Sequence, residues 1–399
     1  NKNSDFHQEI EITMREKNNS FGAIPNQNIL PNNIREEFTM PKIGIKVDNE
    51  TSGIDMVNVD FLYHLVDFEN NTESSKPNSN HLPIYLVVLI DHSKKVKDII
   101  KDIKDYIVLN KINIDKLLIC PKIYLNSFQP AGEWPTVPQL GDYYKEAKIQ
   151  FPDVQIFSGM VTNFTELNRK KPNGDFDGIN FSLTPIVHDA SDYGVLDTPN
   201  SLKFILNSIN NFSKDTPIHI GPMTLGMHFN PYGEKLAPNI DKVRLEMTDL
   251  DPRHDSLISL NWTIAVFSEI LSKNTKFITI ASLKGIHGIL TENNQKRPLF
   301  YLYEVLLYFK NAKIYKIEKI NSISGVKLVK EEKMYYLLTN NSSSQTSYIL
   351  ENETVLQQSY LNKNNFEQLS KSQFSFLNFE DSTETLSFEP YEIKLIQVS

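Results

Sequence analysis

Apolar and polar residues come in blocks along the middle of this chain. Eight short runs rich in Ile, Val, Leu and Phe stand at residues 42–47, 63–68, 83–91, 116–124, 155–161, 178–187, 217–225 and 276–282. Runs of this length, apolar on both sides, read as strands covered on both faces. Amphipathic segments at 94–109, 139–150, 201–212 and 256–272 separate several of them, and another at 297–309 follows the last. These read as helices burying one face. The second link, 69–80, is polar and reads as a loop. Eight strands alternating with helices across 41–311 predict a (β/α)8 barrel. The runner-up is an open doubly wound sheet, which usually carries a glycine-rich phosphate loop after its first strand. Here Gly44 stands alone before Val47 and Asp48.

The pattern changes at both ends. From about residue 312 to 399, runs such as IYKIEKI, MYYLLTN and EIKLIQVS are separated by turn residues. They predict a small antiparallel β-sandwich. Residues 1–40 hold one alternating stretch, 7–14, and an Asn/Pro-rich connector. A lone strand is not stable, so this piece is expected to pair with the C-terminal sheet or with a missing β-domain. The chain opens on Asn1 rather than Met, and a truncated N-terminus is the expectation.

Bulk properties narrow the function. The 399 residues exceed what one core normally supports. The net charge of -8 is interspersed. That disfavours a nucleic-acid partner, which needs a basic stripe. The single cysteine, Cys120, lies in LLICPKIY and reads as a buried thiol, with no disulfide partner in the chain. No apolar run reaches the ~18–20 residues a membrane helix needs. No HxH, HExxH or DxDxDG spacing occurs, so neither a metal nor another cofactor is expected. The expected compartment is the cytoplasm, with the periplasm as the alternative.

Chemistry concentrates where two strands end. The run 155–161 releases Thr162, Asn163, Thr165, Glu166, Asn168 and Arg169; the run 178–187 releases Thr184, His188 and Asp189. Barrel enzymes build their sites from such strand ends. Glu166 and His188 are the expected catalytic pair. A carboxylate there can act as general base, acid or nucleophile, and an imidazole can shuttle a proton. Against this, Glu166 could pair with Arg169 or cap a short helix, and His188 could be a loop residue. Asn163, Asn168, Arg169, Asp192, Thr224, Asn230, Ser282 and Lys284 are the expected substrate-binding set. His228 and His287 are further rim residues. His64 and Asp67 read as structural, as do the acids and Arg253 of TDLDPRHD before the long helix. Glu133, after the fourth strand, is a possible second carboxylate.

Several of these segments resemble one family. GMVTNFTELNRKKP at 159–172, FSLTPIVHDASD at 181–192, PMTL at 222–225 leading to Asn230-Pro231, and Asp251-Pro252-Arg253 with Trp262 are similar to motifs of the D-apionate lactonase family. The resemblance covers roughly residues 41–310, and the C-terminal β-module fits it. It implies a glycosidase-like barrel that hydrolyses a branched sugar-acid lactone, with a β-domain ahead of the barrel. One position departs from it: an acid is expected at the end of the eighth strand, and Ser282 stands there.

Three functions remain open. Lactone hydrolysis needs one general base and an oxyanion donor, which Glu166 with His188 or Lys284 can supply. A glycoside hydrolase usually needs two carboxylates. A barrel without its acid could bind carbohydrate only. In each, the partner is a small carbohydrate or sugar lactone.

Overall fold

The computed structural model describes residues 28–30, 36–48, 51–68, 81–126, 139–232, 235–371, 373–382 and 386–399. The polar link at 69–80, the stretch 7–14 and Glu133 lie outside these residues. Eight parallel strands close into a barrel. They are β1 (Lys42–Val47), β2 (Phe61–Asp67), β3 (Ile84–Ile90), β4 (Ile114–Pro121), β5 (Gln155–Gly159), β6 (Gly178–Leu183), β7 (Ile218–Met223) and β8 (Thr275–Ser282). β8 pairs with β1 and completes the ring, so the open-sheet alternative is excluded.

Two strands stop earlier than their apolar runs. β5 ends at Gly159, whose φ of 126° turns the chain. A side chain there would collide with the backbone of Asn180 on β6. β6 ends before Thr184, whose hydroxyl donates to the Leu225 carbonyl at 2.7 Å. Both strands therefore release their polar residues into the loops and the short helix that follow rather than into the sheet.

The long helices are α1 (Val96–Leu109), α2 (Leu140–Gln150), α5 (Leu202–Phe212), α6 (Leu257–Ile270) and α7 (Pro298–Tyr308). Two short ones are new: α3 (Phe164–Arg169) and α4 (Asp192–Asp197). Six residues are too few to show an amphipathic period, so only their caps could announce them. α6 is buried over nearly its whole surface because it is wedged between the barrel and the C-terminal sheet. Asn261 on α6 donates to the Asn340 carbonyl of that sheet at 2.9 Å.

Inside the barrel the side chains form a packed interior with a polar centre. Lys116 sits 4.3 Å over the Phe277 ring and pairs with Asp115. Above it, His219 stacks on Tyr63 with ring centroids 5.6 Å apart. Its Nδ1 meets Asn180 Oδ1, and its Nε2 meets Thr279 Oγ1 at 2.9 Å. An amide oxygen only accepts, so Nδ1 carries the proton and Nε2 accepts from the threonine. Asn180 Nδ2 in turn donates to the Met160 carbonyl at 2.7 Å. Burial holds His219 well below the ordinary histidine pKa, so it remains neutral.

Beyond the barrel, seven strands form one sheet. It is ordered Glu380–Asp381, Val355–Leu361, Ile393–Val398, Lys333–Asn340, Ile323–Lys330, Lys313–Lys316 and Glu37–Thr39, with antiparallel pairing throughout. A three-stranded sheet joins Asn28–Leu30, Thr346–Leu350 and Leu386–Phe388. Chain from before the barrel thus returns to the module that follows it. Among the described residues the single helix in this part, Glu367–Ser370, is one turn long.

Candidate active site

Glu166 lies in the first turn of α3, directly after β5. Asn163 and Glu166 form a capping box, and Glu166 Oε2 accepts the Asn163 backbone N–H at 3.1 Å. The side chain is buried, with 3% of its surface exposed. The capping role weighed as the structural alternative is therefore real. It also fixes the carboxylate's direction, which a catalytic group requires.

A cavity of about 390 Å³ opens beside it, between the ends of β5 and β6 and the helices α4 and α5. Four of the expected residues line it: Asn163, Glu166, Arg169 and His188. Thr184, Asp189 and Tyr232 are among the other polar residues of its wall. Asp189 accepts the Ser191 N–H at 2.7 Å, and that bond holds its carboxyl below the usual range. Tyr232 is 46% exposed and carries an aromatic face to the cavity rim. Sequence reasoning did not single it out.

The other expected residues lie elsewhere. Asn168 is exposed on α3 and does not line the cavity. Asp192 is held by Arg253 Nη1 and Arg244 Nη2, each at 2.9 Å, while Arg253 grips Asp251 through Nε and Nη2. Thr224 donates to the Gly226 carbonyl at 2.6 Å. Asn230 caps its own turn, accepting from the Tyr232 N–H at 2.9 Å. Ser282 is buried at the end of β8, and Lys284 bonds Ser52 and the Glu292 carbonyl. Thr224 and Asn163 do share a narrow cleft of about 10 Å³, the room of one water molecule.

On the β7–β8–β1 side of the mouth stands a histidine cluster. The rings of His228 and His287 are 4.3 Å apart, and His254 lies 6.5 Å from His287. Burial, then His254 and Lys46, push His287 down to about 3. Burial and the same kinds of neighbours hold His228 well below the ordinary value. His228 Nε2 and Thr162 Oγ1 are buried without a hydrogen-bond partner. Among the described residues, no group of three or more His, Cys, Asp or Glu is placed to hold a metal ion. His64, whose Nδ1 lies 3.2 Å from the Val47 carbonyl, belongs to the wall.

A family model described as D-apionate lactonase, TIM barrel domain, matches residues 67–312. That is more than half of the chain. It belongs to the D-apionate lactonase family. A D-apionate lactonase of Brucella anthropi is 35% identical over 201 residues, which cover 49% of this chain and 33% of that protein. The match thus spans about a third of the relative's length. Among solved structures, this chain is similar to a glycoside hydrolase family 30 subfamily 8 xylanase of Clostridium acetobutylicum. The TM-score is 0.53 at 10% identity, over 90% of this chain and 96% of the other. A family 51 α-L-arabinofuranosidase of Bifidobacterium longum gives a TM-score of 0.52 at 11% identity, over 80% and 76%. At such identities the likeness is one of fold alone. No helix among the described residues is long and apolar enough to cross a membrane.

Proposed function

We propose that this lactonase-family barrel is a carbohydrate-active hydrolase that opens a sugar-acid lactone. The observation that carries this is the cavity at the β5 and β6 ends, which gathers a buried carboxylate, a guanidinium and an imidazole around 390 Å³ of space. An ester carbonyl needs a base for water and a donor for the developing oxyanion. Glu166 takes the first role. Arg169, whose guanidinium matches carboxylate geometry, suits the oxyanion and the acid that results. His188 binds or protonates the sugar oxygens. The family match and the relative's name support the substrate class.

Ser282 favours a second reading. It stands buried where an acid was expected on β8, which fits a barrel that binds sugar without turning it over.

The test is Glu166→Gln, assayed for proton release on a panel of aldonolactones. Glutamine still satisfies a capping box, so the fold is kept. Losing a general base lowers turnover by about 10²–10⁴-fold. Unchanged turnover would discard the mechanism. Binding without turnover in the parent protein would favour the second reading.

A further inference from the structure

α4 separates two cavities. Gly194 and Thr198, one helical turn apart, face the Glu166 cavity. Asp192, Tyr193, Leu196 and Asp197 face a second cavity of about 390 Å³, closed on its other side by turns of the C-terminal module. Each lies within the roughly 300–1,000 Å³ of small-ligand sites.

The wall of the second cavity is dense in hydroxyl and amide groups, and its charges are already engaged. Asp192 is held by two arginines. Asp197 accepts from Asn200 Nδ2 at 2.6 Å, and Lys319 donates to Asn200 Oδ1 at 3.2 Å. What is offered to a ligand is mainly the hydroxyls of Ser322 and Ser343, which donate and accept alike, and the Oδ1 of Asn341, which accepts. Such a wall suits vicinal hydroxyls better than a charged ligand.

Three further features mark the place. Tyr193 is 78% exposed, its ring held out at the rim. A tyrosine face at a polar cavity suits the C–H face of a sugar ring. Tyr391 has a φ of 58°, an uncommon conformation for a bulky residue, and such strain gathers at ligand sites. Asn341 Oδ1 is buried without a hydrogen-bond partner, although its Nδ2 donates to Ser324 Oγ at 3.0 Å.

From these observations together we propose that the cavity between α4 and the C-terminal module is a second binding site, for a neutral saccharide, with Tyr193 as its stacking platform. It is separate from the site of hydrolysis and serves to hold a carbohydrate near it. The reading does not depend on lactone turnover, because its test is binding.

Xylobiose is the probe, titrated into the full chain and followed by saturation-transfer NMR and calorimetry. Tyr193→Ala removes the platform, and Ser343→Trp fills the cavity from an exposed turn. An aromatic contact of this kind corresponds to about three- to ten-fold in affinity. The expected result is that both variants stay folded by circular dichroism and that both weaken xylobiose binding, Ser343→Trp the more. Absence of xylobiose binding by the parent chain would overturn the proposal. So would equal binding by parent and both variants, or binding abolished by Glu166→Gln and untouched by Tyr193→Ala.

Discussion

The barrel's interior and the cavity at its rim use similar side chains to opposite ends. In the interior, His219, Asn180 and Thr279 bond one another across three strands, and Asn180 Nδ2 donates to the Met160 carbonyl. At the rim, Glu166 is oriented by a backbone N–H, yet it lines open space with Arg169 and His188. A buried polar group that closes on its neighbours specifies packing; one that borders a cavity can also meet a ligand. Stability should therefore follow the first set and turnover the second.

The largest expected separation comes from Glu166→Gln. Turnover on lactones should fall by about 10²–10⁴-fold, while urea unfolding changes by no more than about 0.5 kcal/mol. A large loss of stability instead would make Glu166 a structural residue and dissolve the contrast.

Acid comes next. His287 titrates near 3 when folded and near 6.5 when unfolded, and His228 and His254 are lowered as well, all mainly by burial. The unfolded chain then binds more protons below pH 6.5. The stabilisation is complete above that value and is lost as pH falls toward 3. For His287 the loss is on the order of 5 kcal/mol across the whole window, about 3 kcal/mol of it above pH 4. Urea titrations from pH 7 to 4 should show it, and His287→Gln should flatten the slope. An unchanged slope would mean that the cluster takes up protons without unfolding.

Asn180→Leu probes the interior. It strands the His219 N–H and the Met160 carbonyl and should cost about 2–3 kcal/mol in urea denaturation. The kcat on lactones, per folded molecule, should stay within about two-fold of the parent. A specific loss of kcat would show that interior and rim act as one network. The smallest effect is expected at Tyr301→Phe, which removes a buried hydroxyl that donates to the Leu369 carbonyl at 2.7 Å. About 1 kcal/mol of stability should go, with turnover unaffected.

How legible these regions were in the sequence follows from the range of the interactions. The eight strands were plain because each is a local apolar run, and their ends could be located to within a few residues. Glu166 and His188 stood out for the same reason, as polar residues where strands stop. α4 was missed, and α3 entered only as the short helix that Glu166 could cap, because six residues carry no period. The partners of Asp192 could not be read, since Arg253 lies 61 positions away. The interior triad was equally hidden, because His219 meets Asn180 and Thr279 across 39 and 60 positions.

The amino-acid sequence by itself determined the parallel barrel, the β-module after it and the two strand ends where polar residues gather. These depend on hydrophobic period and on turn residues, and both are local properties. Only the tertiary structure decided which polar residues meet: that Arg169 and His188 share a cavity with Glu166, that Asp192 belongs to an ion-pair network, and that Tyr193 and Ser322 both line a second cavity. The reason is physical. A side chain's role depends on what desolvates it and what bonds it, and those neighbours arrive from distant strands only when the barrel closes.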